Sequence, residues 1–385
     1  MTGLRAAIIG GGGTGAAIAH DLTQRGVSVT LFERGELTSG TTGRHHGLLH
    51  SGARYVVNDP AVALECIREV EVLRRIAPDS IEMNYGLFAA LNDEDVEYGR
   101  EFVDACASVG IPVRRLETST ALKHEPSLNP KARFAMLVPD GTIDAYRLPL
   151  QFFATAKNNG AEIRNFSEIV DIVVEAGRVS GVVCHDFRSG KETLYAADFV
   201  INAAGPWAGR VAKSAGVSLG ITPSPGTLVA VEGRLCNMVV SHLHPAGAGD
   251  IVVPQRNISI IGTTEWRTET PDGVQAREGD TEFLLRSAEQ LVPGFSSRPV
   301  HATWTAVRPL AGEGTDPHTL SRGFETVTTD SVKGFCSVIG GKATILRAMA
   351  EQASDVVCAA AGIEVACETA NTRLHPHEDY FRNVS

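Results

Sequence analysis

The chain has 385 residues, 43% hydrophobic and 21% charged, and is long enough to bury a core in two domains or in one with a large insertion. Its formal net charge of −10, with no dense Lys/Arg run, excludes nucleic acid as the main partner, because backbone phosphates demand a clustered positive surface. The seven cysteines are scattered and never spaced C-x-x-C, which argues against an iron–sulfur or zinc site and for free thiols in a reducing compartment.

Taken in chain order, Arg5–Gly10 is a short apolar run ending in glycines, the pattern of a buried parallel strand. Thr14–Arg25 reads as a helix stopped by Gly26, and Val27–Glu33 as a second strand, so the first 33 residues predict a right-handed βαβ unit. A helix is expected over Pro60–Ala77, with Asp59 as its cap. Strands over Ile81–Leu91 and Phe134–Asp144 flank a helix over Asp93–Val109, and a further helix spans Leu148–Gly160. Ile163–Val174, Val179–Val183 and Thr193–Asn202 read as strands, with a turn at Gly177-Arg178. From Thr222 to Trp304 alternating runs such as Leu228–Val231, Asp250–Pro254 and Ile258–Ile261 predict an antiparallel sheet. Phe335–Ile339 is a last strand and Ala343–Ala361 a last helix. The expected fold class is α/β: a Rossmann-like domain built from discontinuous segments (1–84, 145–220 and 321–385) with an inserted antiparallel-sheet substrate domain (85–144 and 221–320).

The glycines carry the first chemistry. Gly10, Gly12 and Gly15 fit G-x-G-x-x-G between strand and helix, where backbone and helix N-terminus meet a pyrophosphate; Thr14 lies within the turn. Glu33 ends the second strand 23 residues after Gly10, placed to bind a ribose hydroxyl pair, and Arg34 follows it. Leu37–Gly52 (LTSGTTGRHHGLLHSG) is a loop rich in small and hydroxyl residues, suited to lie along a pyrophosphate and ribityl chain. Within it Thr41, Thr42, Gly43, His46, Gly47 and Leu49 are candidate FAD contacts. So are Val170, and Ala204, Gly205 and Trp207 after the strand ending at Asn202. Gly340, Gly341, Lys342, Ala343 and Thr344 form a third strand-to-helix junction, where a lysine can stabilise the charge of a reduced flavin. The expected cofactor is FAD.

These motifs resemble the flavin-dependent glycerol-3-phosphate dehydrogenases, most closely the catalytic subunit of the anaerobic type. The matching stretches are GGGGTGAAIAHDL, SGTTGRHHGLLHSGARY, NAAGPWAG, DIVVPQRNISIIGTTEW, VRPL, SR and GGKATILR. The resemblance implies that His50, Arg54 and Tyr55 lie beside the flavin at the substrate end. It implies that Arg308 and Arg322 bind the anionic group and that Lys342 faces the ring. It also implies oxidation of a secondary alcohol, glycerol 3-phosphate or a related polyol phosphate, by hydride transfer to flavin N5. His50 is the candidate base. Oxidation of a 2-hydroxy acid or amino acid, or a non-catalytic role within a larger electron-transfer complex, stays open at this point. Ala343 and Leu346 depart from the Thr and Tyr usual after Gly-Gly-Lys, and the sequence to Ser385 is expected to be without the cysteine-rich C-terminal extension of the anaerobic type. The acceptor is therefore open between oxygen, a quinone and a protein partner. With no signal segment and no uncharged stretch of about 18 residues, a cytoplasmic chain without a transmembrane segment is expected, compatible with peripheral membrane contact.

Overall fold

The computed structural model describes residues 3–312 and 323–382. Its organising element is the strand Arg5–Ile9, central in a six-stranded sheet ordered Phe324–Thr328, Phe335–Gly340, Phe199–Asn202, Arg5–Ile9, Ser28–Phe32 and Glu162–Arg164. The neighbours pair in parallel except Phe324–Thr328, an antiparallel edge strand. The alternation of a strand explains why its whole run is apolar. Ala6 and Ile8 join a core with the helices Gly13–Gln24, Arg147–Asn158 and Leu346–Ala361. Ala7 and Ile9 face the opposite way, into a core with the three-stranded sheet Ser167–Glu175, Arg178–Asp186 and Lys191–Ala196.

A second, eight-stranded sheet runs Val300–Ala311, Ile221–Glu232, Ile258–Gly262, Ile251–Gln255, Val239–His242, Gly86–Ala90, Phe134–Val138 and Arg114–Glu117. It is antiparallel apart from one pair, Val239–His242 with Gly86–Ala90. The helix Asp280–Leu291 covers one face through Leu284, Ala288 and Leu291.

The helix Pro60–Ile76 forms with Asp59 as cap, its carboxylate accepting from the Val62 N–H. Asp93–Val109 forms where the pattern predicts it, started by a capping box between Asn92 and Asp95. The expected strands need correction at four places. Ile163–Val174 is two strands in different sheets, parted at Phe166, whose φ is 55°. Thr193–Asn202 likewise divides into Lys191–Ala196 and Phe199–Asn202. Ile81–Leu91 breaks at Tyr85, with φ of 61°, and Phe134–Asp144 divides into Phe134–Val138 and Gly141–Ile143. The turn expected at Gly177-Arg178 is Ala176-Gly177, both at positive φ as a tight hairpin requires. The pattern also missed the helix Asp280–Leu291 inside the stretch expected to be pure sheet, as well as Arg114–Glu117, Thr118–His124 and Phe324–Thr328. A left-handed Tyr or Phe leaves no compositional mark, so a continuous apolar run conceals a change of sheet. No described helix is long and apolar enough to cross a membrane.

Candidate active site

A cavity of about 880 Å³ lies along the C-terminal ends of the parallel strands and reaches the second sheet. At one end the glycine turn forms its wall. Gly10 has φ of +117°, and a Cβ there would stand 2.5 Å from the Ala203 carbonyl oxygen, so only glycine lets the two strand ends cross this closely. Glu33 braces the turn, accepting from the Gly11 N–H at 2.7 Å and the Gly35 N–H at 2.8 Å. Both oxygens keep a lone pair for a further donor. The hydroxyl-rich loop closes from the other side: Thr42 accepts from the Gly13 N–H at 3.0 Å, and Thr41 donates to the Val307 carbonyl at 2.5 Å. The first N–H groups of a helix lack intrahelical acceptors. Those of Gly12 and Thr14, on the cavity wall, bond to no group among the described residues. Asn202, fully buried, donates to the Ala208 carbonyl and Ser337 Oγ and so shapes the turn that brings Ala204, Gly205 and Trp207 to the cavity. A long, glycine-walled cleft with open amides at a helix start fits an FAD pyrophosphate.

The other end gathers cationic and imidazole side chains. The His50 ring lies 5.3 Å from Tyr55 and 6.4 Å from His46, and Lys342 Nζ sits 4.6 Å from the centre of the Tyr55 ring. Arg54 is held by Asp250 at 2.7 Å and by the Gly247 carbonyl at 2.7 Å. Arg308 Nη1 lies 3.4 Å from Glu265 Oε1, and its Nη2 donates to the Thr263 hydroxyl. Glu265 in turn accepts from Ser224 Oγ at 2.9 Å. Burial pushes His45 down to about 4. Burial, aided by His45 and the guanidiniums of Arg308 and Arg54, pushes His46 to about 3. His50 is held well below the ordinary histidine range by burial first, then by His46, Lys342 and Arg54. It is therefore a neutral imidazole at neutral pH, able to accept a proton.

Of the residues singled out in the sequence, His50, Arg54, Tyr55, Arg308 and Lys342 line this cavity together. So do Gly10, Gly12, Thr14, Glu33, Arg34, Thr41, Thr42, His46, Val170, Ala204, Gly205, Trp207, Gly340, Gly341 and Ala343. Five others do not line it. Gly15 stands behind the turn, where a Cβ would meet the Gly10 carbonyl oxygen at 2.0 Å. Gly43 and Gly47 border a neighbouring cavity, and Leu49 is wholly buried. Thr344 is also buried and accepts the His50 N–H at 3.0 Å, a supporting contact behind the wall. Arg322 lies outside the described residues. Asp250 and Glu265, which hold Arg54 and Arg308, were not singled out in the sequence. They stand at and near the ends of the stretch DIVVPQRNISIIGTTEW, at the limits of two strands, and position alone marked them.

The model of the FAD dependent oxidoreductase family matches residues 5–346. The A1 component of the anaerobic glycerol-3-phosphate dehydrogenase of Haloferax volcanii is 40% identical over 97% of this chain, which spans 66% of that relative's length. The corresponding component of the Escherichia coli K12 enzyme is 37% identical, over 98% of this chain and 72% of the relative. Among solved structures, glycine oxidase from Geobacillus kaustophilus superposes with a TM-score of 0.75 at 24% identity, covering 97% of this chain and 99% of that one. L-alpha-glycerophosphate oxidase from Mycoplasma pneumoniae, solved with FAD bound, gives 0.78 at 18% identity, with 96% and 98% covered. At those identities the structures speak for the fold. With the matched family model covering both the glycine turn and the Gly340–Thr344 junction, the chain belongs to the FAD dependent oxidoreductases.

Proposed function

We propose that this protein oxidises the secondary alcohol of a small anionic substrate, glycerol 3-phosphate or a related polyol phosphate, to the corresponding ketone. The observation that carries the reading is the meeting of Arg54, Arg308 and Lys342 with a neutral His50 at one end of the FAD cleft. In a chain of net charge −10 such a gathering is local and directed at an anion. The names of the relatives at 40% and 37% identity support the same substrate.

In this reading the segments 1–84, 145–220 and 321–385 hold FAD and 85–144 with 221–320 form the substrate side. Gly10–Gly15 would hold the pyrophosphate of FAD and Glu33 a ribose hydroxyl pair, and Lys342 would stabilise negative charge on the reduced ring. Bound FAD supplies the two-electron acceptor for the hydride. Arg308, aligned by Glu265 and Thr263, and Arg54, aligned by Asp250, grip the phosphate and fix the carbinol carbon. His50 Nδ1 or Nε2 takes the hydroxyl proton as the hydride leaves. Electrons pass on to a quinone or a protein partner on the cytoplasmic side, a reading supported by relatives that are named as parts of multi-component enzymes.

The test is anaerobic titration of the yellow protein. Glycerol 3-phosphate is expected to bleach the flavin band stoichiometrically and glycerol to fail at equal concentration. Bleaching by 2-hydroxy acids or amino acids and not by polyol phosphates overturns the reading.

A further inference from the structure

Elsewhere on the wall of the same cleft, four side chains close on one another. The Trp207 indole N–H donates to Asp272 Oδ1 at 2.7 Å. Arg34 lies 3.6 Å from the same oxygen, and Arg210 lies 3.4 Å from Oδ2. The Arg34 guanidinium also stacks over the Trp207 ring, 4.3 Å from its centre. On Gly40, in the hydroxyl-rich loop, a Cβ would stand 3.4 Å from Trp207 Cζ3, so the indole is wedged between loop and guanidinium. Arg34, Trp207 and Arg210 all follow strands of the six-stranded sheet. Asp272 alone comes from the other side, on the segment between the strand Ile258–Gly262 and the helix Asp280–Leu291. All four line the cavity; Trp207 is half-buried, and the three charged side chains are 38% (Arg34), 49% (Asp272) and 56% (Arg210) exposed, which puts the cluster at the mouth.

We propose that Asp272 is a clasp that retains the cofactor. Its carboxylate draws the 263–280 segment across the mouth and pins it to Trp207, Arg34 and Arg210 over the adenosine half of the cleft. The inference rests on the FAD reading and goes beyond it, since neither binding of the pyrophosphate nor hydride transfer needs this bridge. A single exposed ion pair contributes little. Here one carboxylate serves an indole donor and two guanidiniums at once, one of them fixed by stacking. The same segment carries Thr263 and Glu265 at its start, both on Arg308. Asp272 is thus a positioning residue that acts through Trp207.

The experiment follows FAD release from the holoprotein after dilution, read by free-flavin fluorescence, for wild type, Asp272→Ala, Asp272→Asn and Trp207→Phe. Asp272→Ala is expected to release FAD about 5- to 30-fold faster, the factor set by losing a hydrogen bond with two exposed ion pairs. Asp272→Asn, which keeps an acceptor for the indole, falls between, and Trp207→Phe is faster than wild type. Raising salt to about 1 M, where charges are screened beyond about 3 Å, accelerates release from wild type more than from Asp272→Ala. Release within about twofold of wild type in Asp272→Ala, or an equal salt response in both, overturns the clasp. A wild type that yields no FAD on denaturation defeats the cofactor reading instead, so the two failures are separable.

Discussion

At the scale of single residues, Arg308 is the proposed anion grip, and its surroundings say how it would act. Its guanidinium is aligned by Glu265 and by Thr263, so little freedom remains to be lost when a second acceptor arrives. Arg308→Ala should leave FAD content intact and lower kcat/KM for the phosphate ester by about 2–4 kcal/mol, or about 30- to 1,000-fold. Arg308→Lys should recover only part, because lysine keeps the charge and loses the planar fork. Steady-state kinetics on glycerol 3-phosphate and glycerol decide it. Equal losses on both substrates would make Arg308 structural. His50 is the other test at this scale. Its folded pKa is depressed, so protonation, and with it loss of the base, occurs only below the ordinary value of 6.5. The acid limb of kcat/KM should lie below that value, with activity level from there to neutrality. The substrate phosphate ionises near pH 6 as well. His50→Gln separates the two: it should reduce kcat about 10²- to 10⁴-fold and abolish only the limb that belongs to the imidazole. An unchanged profile in His50→Gln would assign the proton elsewhere.

At the scale of elements, the site depends on two helices that begin beside it. Pro60–Ile76 follows Arg54 and Tyr55, and Leu346–Ala361 follows Lys342 and Thr344. A buried ion pair ties them: Arg347 meets Glu69 at 2.6 Å, and it also reaches Glu351 at 2.5 Å and Thr369 at 3.1 Å. Removing Glu69 takes the bidentate partner from Arg347 and leaves its buried guanidinium to Glu351 and Thr369. Glu69→Ala should therefore cost about 1–3 kcal/mol in denaturant unfolding and loosen the Lys342–Tyr55 contact. Glu69→Gln, which retains an acceptor, should cost less, and a loss below about 1 kcal/mol in Glu69→Ala would show the pair to be incidental. This tie was invisible in the sequence, where Glu69 and Arg347 are 278 positions apart. What could be read were features with local causes. The βαβ unit, the Asp59 cap and the Asn92 box each follow from residues within a few positions. The meeting of the glycines, Glu33 and the hydroxyl-rich loop on one cavity was also legible, because each is a sequence-local signature. The divisions at Phe166 and Tyr85 were not, since nothing local marks a non-glycine residue in the left-handed region. Nor were Asp250 and Glu265, whose meaning arises only from the arginines they face.

Over the whole molecule, folding takes several histidines out of water and leaves them neutral. His20 is shifted to about 4 by burial, His45 to about 4 and His46 to about 3, and His50 moves the same way. The sign follows from linkage. Between the ordinary value of 6.5 and these folded values the unfolded chain binds protons that the native chain does not, so stability falls as pH falls through that window. Asp140 opposes this, because burial raises it to about 6 and its native form takes up a proton before the unfolded one does, and Asp21 and Glu65 are raised by burial in the same way. The lowered histidines, His244 among them, against these carboxyls should leave a net loss: Tm of the protein should decline from pH 6.5 towards 4. A flat or rising Tm on acidification would contradict it. His20 allows the cause to be isolated, because it lies far from the imidazoles of the cleft in the helix Gly13–Gln24, fully buried against Phe152. Among the described residues neither of its ring nitrogens has a hydrogen-bond partner, a condition that costs about 1–3 kcal/mol for a buried polar group. His20→Leu, roughly matched in volume, should therefore raise stability at neutral pH by about 1–2 kcal/mol and make the acid decline of Tm shallower. The measurement is thermal unfolding of both proteins across about pH 4 to 8. A destabilised His20→Leu would mean that the imidazole packs there better than an aliphatic chain can. A stabilised variant with the full acid slope would place the proton uptake wholly in the histidines of the cleft.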